Sequence, residues 1–337
     1  MLVADEAHNL GATRILSCLT DAFFYRLALS ATITRHYDAE GTRKLFEYFG
    51  EKCIEYTLER AIKEEKLTPY KYYPVIVTLT DDERDDYERL TFEMGKCLIT
   101  RNGKKVLSEK GKRLAIERAR VVAGAQDKIS ALEREIRPYV HDNHILVYCG
   151  TCKLLLGEDD VDVVDDDERR QVSVVSSLLG NRLNMTCSHF TSRENADERV
   201  DLKRRFADGE IQALIAIKCL DEGVNIPAIR MAFILASTTN PMEYIQRRGR
   251  VLRLAPGKKY AEIFDFITLP YALNKTSGLT AKQLGNLLTL VKNELKRAED
   301  FASLALNAGM ALVTIGEIKD AYRVYEDLSR YEEFNDD

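Results

Sequence analysis

The chain has 337 residues, 45% of them hydrophobic, with 49 basic and 54 acidic side chains for a formal charge of −5. This is the make-up of a globular protein with room for two ordinary domains, and it excludes a whole-molecule polycation, so any nucleic-acid surface must be local. No stretch approaches the roughly 18 uninterrupted apolar residues of a membrane helix, the opening MLVADEAH lacks the basic start and cleavage site of a secretory leader, and the seven scattered cysteines fit reduced thiols, so a cytoplasmic protein with no membrane partner is expected.

Residues 1–35 read as an apolar strand, MLVAD, a helical stretch over about residues 12–21, and a second strand, YRLALS, ending in SAT. Two strands and one helix cannot bury enough surface to fold alone, so they read as a piece of a larger sheet. Residues 36–125 change to amphipathic helical runs such as DDERDDYERLTFEMGKCL and KRLAIERARVVAG, a helical connector or insertion. They are interrupted by LTPYKYYPVIVTLT, whose prolines and β-branched residues read as an extended connector, and by RNGKKVLSEKGKR, a basic segment that reads as a solvated loop rather than a binding site. Over residues 126–272 the short apolar strands HILVYC, TCSHFTS, ALIAI, MAFILAS and AEIFDFI alternate with helices such as ADERVDLKRRFADG. That alternation predicts an α/β domain built on a parallel sheet covered on both faces, with ligands at the carboxyl ends of its strands. The acidic run EDDVDVVDDDE lacks the turn glycine and closing glutamate of a calcium loop and reads as a solvated insertion, and residues 273–337 read as an amphipathic helical tail.

Some strand ends carry chemistry. Asp5 and Glu6 follow an apolar strand, where one carboxylate can hold Mg²⁺ through water while the second orients an attacking water. Ser30 and Thr32, at the end of LALSAT, are placed to hydrogen-bond His8. In YIQRRGRVLR, on a helix, Arg250 and Arg253 stand three apart and share a face, and Gly249 permits close backbone approach. Two guanidiniums on one face suit the charge spread over transferring phosphoryl oxygens. IAIKCLDEGVNIP reads as a buried strand followed by a loop able to touch both a nucleotide and a nucleic-acid backbone. Thr191, Ser192 and Arg193 of FTSRE, with Lys218, offer hydroxyls, amides and basic groups suited to phosphodiester contacts.

Two other patterns read as decoys. His141, His144, Cys149 and Cys152 are ligand types that zinc accepts, but the apolar strand ILVY holds the two pairs more than about 10 Å apart, too far to converge on one ion. YCGTCK has the CxxC spacing of thioredoxin-like enzymes, but its strand falls where the α/β domain should begin.

In chain order, VADEAH, SAT, CLDEGVNIP and QRRGRVLR resemble motifs II, III, V and VI of superfamily-two helicases and translocases, the DEAH-type proteins with tandem RecA-like domains. The wording is nearest the bacterial DNA-acting branch, including helicase components of restriction-type systems, and the resemblance runs from residue 2 to about residue 270. It implies a complete C-terminal RecA-like domain over 126–272 and a partial first one over 1–35, ATP and Mg²⁺ as cofactors, and nucleic acid, DNA rather than RNA, as partner. By residue, it implies that Asp5 coordinates Mg²⁺ through water, that Glu6 is the catalytic base, and that His8 with Ser30 and Thr32 links hydrolysis to domain closure. Gln246 would approach the γ-phosphate, Arg250 and Arg253 would be arginine fingers, and Glu222, Gly223 and Asn225 would complete the nucleotide and domain-contact loop. Asn225 replaces the aspartate of the family pattern, which weakens any grip on the ribose. The family's phosphate loop has no counterpart, because NGKK and PGKK lack both the hydroxyl and the preceding glycine of a Walker A turn. The implied protein is therefore a truncated or split helicase whose Walker A half is supplied by another polypeptide or was lost. The alternative is a catalytically inactive module that binds nucleic acid or a partner through its second domain and tail.

Overall fold

The computed structural model describes residues 1–31, 38–101, 104–150, 166–191, 194–217, 226–236, 241–285 and 287–324. Strands β1 (Leu2–Ala4) and β2 (Arg26–Ala28) pair in parallel, Val3 opposite Leu27. The helix expected over 12–21 is reduced to α1 (Thr13–Leu16), preceded by a 3-10 turn at Ala7–Gly11. Hydroxyl side chains follow it, and Thr20 already bonds the Ala22 amide at 3.3 Å, the local competition that discourages helix continuation. Helix α2 (Ala39–Phe49) is capped by Asp38, which accepts from the Gly41 amide at 2.7 Å, and Leu45 is buried.

After α3 (Leu58–Lys63), the segment LTPYKYYPVIVTLT is not a connector. Its residues form β3 (Tyr70–Thr78), which pairs along its whole length with the last strand of the main sheet. Pro74 misled the reading, since proline is excluded from central strands but tolerated at a sheet edge, and β3 is the edge. Helices α4 (Asp81–Gly95) and α5 (Glu109–Ala123) then run out and back as an arm, joined at the tip by the antiparallel ribbon β4 (Leu98–Arg101) and β5 (Lys104–Leu107). RNGKKVLSEKGKR is therefore largely the ribbon and the first turn of α5 rather than a loop.

From α6 (Asp127–Ile136) onward the expected alternation appears: β6 (Ile145–Cys149), α7 (Asp166–Ser177), β7 (Cys187–Phe190), α8 (Ala196–Ala207), β8 (Ala213–Ile217), β9 (Met231–Ile234), α9 (Pro241–Val251) and β10 (Ala261–Leu269). The six strands are all parallel in the order β3-β10-β9-β6-β8-β7. ILVYC, ALIAI and MAFI are buried at every position, as helices on both faces require of central parallel strands. The fold is thus mixed α/β on a parallel sheet, as expected, with β3 as a sixth strand that was not expected. No described helix is long and apolar enough to cross a membrane.

After α10 (Ala281–Gly285), the tail packs on the sheet as α11 (Leu288–Ser303) and α12 (Ala308–Tyr322). Its attachment is polar as well as apolar. Arg297 on α11 donates to Asp265 on β10 at 3.0 Å and forks onto both oxygens of Glu294 at 2.8 Å, while the Tyr72 hydroxyl donates to the same Asp265 oxygen at 3.0 Å. Such a buried network adds little net stability when intact, but losing one member strands the others without water. Asn307 covers part of the open edge of β3, accepting from the Tyr72 amide at 2.8 Å and donating to its carbonyl at 2.9 Å.

Candidate active site

Strand β1 ends at Ala4 and delivers Asp5 and Glu6 where the backbone turns sharply. Glu6 lies in the left-handed region, φ 47 and ψ 46, a conformation that costs a non-glycine residue about 1–3 kcal/mol and gathers at functional sites. Local bonds hold it there: the Glu6 amide donates to Asp5 Oδ1 at 2.9 Å, and the Ala7 amide to the Leu29 carbonyl at 2.9 Å. The carboxylate of Glu6 is half exposed, whereas the His8 ring behind it is buried. His8 Nδ1 is 3.0 Å from Ser30 Oγ and 3.4 Å from Glu6 Oε2, so one imidazole touches the hydroxyl at the end of LALS and the acid at the end of β1.

Opposite this acid lies α9. Gln246 Nε2 is 3.4 Å from each carboxylate oxygen of Glu6, a long, shared approach between groups 240 residues apart in the chain. Arg250 stands one turn beyond Gln246 and shares its face. The structure modifies the expectation for Arg253, because α9 ends at Val251 and Arg253 follows it, linked by a backbone bond of 3.5 Å from its amide to the Arg250 carbonyl.

The neighbouring arginines do something else. Tyr244, Arg247, Arg248, Val251 and, just past the end of the helix, Leu252 are all buried, a repeat of three and four residues that forms the inner stripe of α9 and the turn after it. The Arg247 guanidinium stacks over the Tyr148 ring at 4.3 Å. Arg248 donates to the Asp300 carbonyl at 3.0 Å and the Tyr70 hydroxyl at 3.3 Å, lies 4.6 Å from the Phe301 ring centre, and meets the Asp300 carboxylate at 2.9 Å in an ion pair whose angles are not those of a hydrogen bond. Sequence reasoning missed both anchors. The phase of Tyr244, Val251 and Leu252 would have identified them.

The far end of α9 is clasped from two sides. The Thr68 amide donates to the Leu252 carbonyl at 2.7 Å, and Lys258 Nζ reaches the carbonyls of Val251 at 2.5 Å and Arg253 at 2.9 Å. Burial, helped by the charge of Arg230, lowers the Lys258 ammonium to about 7. The helix that carries Gln246 and Arg250 is thereby fixed at its inner face and at its end.

Among the described residues no group of three or more His, Cys, Asp or Glu converges as a metal centre. Mg²⁺ asks for less: one or two carboxylates, waters and phosphate oxygens, which an exposed Asp5 beside Glu6 fits. Of the other expected residues, the Thr191 hydroxyl is engaged with the Glu194 carboxylate at 3.0 and 3.1 Å, and a phosphate would have to displace that contact. Thr32, Ser192, Arg193, Lys218, Glu222, Gly223 and Asn225 lie outside the described residues, as do Cys152 and most of the acidic run. Cys149 is buried in β6 with its thiol pushed up to about 12 by burial, and His144 Nε2 faces the Ala207 carbonyl at 3.2 Å. Gly150 follows because a Cβ there would fall 1.9 Å from that of Ala236, so the glycine of YCGTCK serves close packing of two strand ends.

The chain is similar to the DNA 3'-5' translocase XPB2 of Sulfurisphaera tokodaii, 23% identical over 262 residues that make up 75% of this chain and 55% of that protein. It is also similar to the putative helicase 22 of Sulfolobus islandicus filamentous virus, 31% identical over 77 residues, 23% of this chain and 14% of that one. Among solved structures, the ATP-dependent Type ISP restriction-modification enzyme LlaBIII bound to DNA is 15% identical with a TM-score of 0.48, over 90% of this chain and 21% of that one. The chain thus spans about half the length of the first of these relatives and a seventh of the second. Residues 127–255, from α6 to just beyond α9, match the helicase conserved C-terminal domain. Over this segment the chain is thus similar to helicase C-terminal domains, and over 262 residues it is similar to a DNA translocase.

Proposed function

We propose that the chain is part of an ATP-dependent DNA helicase or translocase of the DEAH type, from the bacterial DNA-acting, restriction-type branch, and that its phosphate loop is contributed by polypeptide outside residues 1–337. The observation that carries the reading is the approach of Gln246 to Glu6, which sets a strained acid and an arginine-bearing helix against each other across one gap. ATP with Mg²⁺, when bound, supplies the phosphoanhydride and the neutralising charge. Glu6 takes the proton of the attacking water, and the His8–Ser30 contact holds that carboxylate in place. Gln246 offers its amide hydrogens to the same water or to the γ-phosphate, and Arg250 donates to the phosphoryl oxygens as charge develops. An arginine finger contributes about 10³ to 10⁵ in rate, roughly 4 to 7 kcal/mol of barrier.

A second observation supports a polypeptide partner or extension. Met1, Val3, Tyr25, Leu27 and Leu29 lie on one face of the β1–β2 pair and are 41% to 82% exposed. Parallel strands are stable when both faces are covered, and an apolar stripe of this kind marks a surface that another element fills. The test is nucleic-acid-stimulated ATP hydrolysis. The purified chain should be inactive alone and active with a polypeptide bearing the phosphate loop, and Glu6→Gln should abolish that activity. Robust turnover by residues 1–337 alone would overturn the split-enzyme reading, and unchanged function after Glu6→Gln would favour an inactive binding module.

A further inference from the structure

We infer that Lys258 is a positioning residue for Arg253: with Thr68 it grips the end of α9 and fixes the backbone from which that arginine reaches the phosphates. The inference rests on the ATPase reading, in which Arg253 is the second arginine finger, and adds to it a residue that acts only through the backbone.

The helix alone does not place Arg253. Helix α9 ends at Val251, and the Arg253 amide reaches the Arg250 carbonyl at 3.5 Å, longer than the roughly 2.7–3.2 Å of a firm N–H···O bond. A side chain that donates to transferring phosphoryl oxygens has to start from a fixed Cα, because a misplacement of about 1 Å can cost about 10²-fold in rate. The last carbonyls of the helix supply that anchorage. Lys258 Nζ donates to the Arg253 carbonyl at 2.9 Å and to the Val251 carbonyl at 2.5 Å. The Thr68 amide donates to the Leu252 carbonyl between them at 2.7 Å, and the Thr68 hydroxyl donates to the Arg253 carbonyl at 3.4 Å. Two residues from outside the helix thus hold three successive carbonyls.

Both arrive from paired strands. Ala261, at the start of β10, stands opposite Tyr70, at the start of β3, and donates its amide to the Pro69 carbonyl at 2.9 Å. Thr68 and Lys258 therefore approach the end of α9 side by side, each just ahead of its strand. The turn before β10 aims the lysine. In Ala255–Lys258 proline takes the second place and glycine the third, with φ 70 at Gly257 and the Lys258 amide bonded to the Ala255 carbonyl at 3.1 Å, a turn that requires a left-handed third residue.

Burial singles out the same residue. Pro256, Gly257 and Lys259 are exposed, whereas Lys258 is only 9% exposed. A lysine in an exposed turn can keep its charge in water, as Lys259 does, so the inward course of Lys258 needs a compensating contact. The carbonyls are that contact, since they carry the negative end of the helix dipole and favour a cation. Burial, with the charge of Arg230, lowers the amine to about 7. The neutral amine keeps two N–H groups, one for each carbonyl, so the clasp holds on either side of that pH.

The experiment compares the whole chain with Lys258→Met, Lys258→Arg and, as the control, Lys259→Met. Hydrogen exchange read by mass spectrometry should show the amides of residues 250–254 opening at least about tenfold faster in Lys258→Met than in the native chain, with α11 unchanged. Lys258→Arg, which retains donors, and Lys259→Met should stay close to the native pattern. The functional arm is a double-variant cycle in the assembled enzyme. Lys258→Met should lower kcat by about 10²-fold with KM for ATP unchanged, and should add little further loss to Arg253→Ala. Unchanged exchange at residues 250–254, or an acceleration shared equally by α11, would overturn the proposal. So would full additivity with Arg253→Ala, which would make Lys258 a stability residue. A native assembly without turnover would be a failure of the ATPase reading, and the exchange comparison would still decide whether Lys258 holds Arg253.

Discussion

Arg248→Ala should cost about 2–4 kcal/mol of stability, clearly more than Arg250→Ala, two residues along the same helix. The Arg248 side chain is 3% exposed and joins the Asp300 carboxylate, the Asp300 carbonyl, the Tyr70 hydroxyl and the Phe301 ring. Removing one partner of a fully buried ion pair costs about 3–5 kcal/mol. Here the Asp300 side chain is 39% exposed and can turn to water, so the electrostatic part is discounted to about 1–2. The carbonyl and hydroxyl contacts and the lost ring contact each add about 1, not fully additively. With a urea slope of about 3 kcal/mol per molar for a chain of this size, the midpoint should fall by roughly 1 M. The chain has no tryptophan, so the transition is followed by circular dichroism. In the assembled enzyme Arg250→Ala should lose about 10³ to 10⁵ in rate with its fold intact. Equal midpoint shifts for the two variants would refute the division of the run QRRGR into anchors and actors.

Two further outcomes are expected. The Lys258 ammonium titrates near 7 in the folded chain against 10.5 for an ordinary lysine, so between those values the folded state binds fewer protons than the unfolded one. Stability should therefore rise as pH is raised from 7 to about 9.5, with the burial cost present in full below 7, and Lys258→Met should flatten that rise in urea midpoints measured across the range; an undiminished slope in the variant would contradict the assignment. Thiol labelling with peptide mapping should modify the exposed Cys18 and Cys53 at once and the buried Cys149 only on unfolding, and prompt native labelling of Cys149 would contradict its place in the core.

What could be read in the sequence follows from which forces leave a pattern. Continuous apolar runs such as ILVYC and ALIAI announce parallel strands because both faces must be buried, and they form the centre of the sheet. Tyr70–Thr78 hid behind Pro74, since a proline argues against a central strand and composition alone does not distinguish an edge. The tail read only as an amphipathic helical element because Arg297, Glu294 and Asp265 look like surface residues until the fold pairs them in the core. The ribbon had a local signal, Asn-Gly between LITR and KKVL, which is a hairpin pattern that the basic charge obscured. At the candidate site, motif order singled out Glu6, His8, Ser30 and Gln246, and the fold brings these side chains together. The left-handed backbone at Glu6 was not legible, because it depends on bonds to Leu29 and Asp5 rather than on residue type.

The central claim, that Glu6 and Gln246 face one another across a common cleft, is tested most directly by zero-length coupling. A carbodiimide applied to the purified Gln246→Lys variant activates carboxylates and joins each to an amine in contact with it, so the links formed by the new amine report which acids lie beside position 246. The expected product is an isopeptide link between position 246 and Glu6, read by mass spectrometry and lost when Glu6→Gln is added. Coupling of position 246 to other carboxylates, with none to Glu6, would contradict the account.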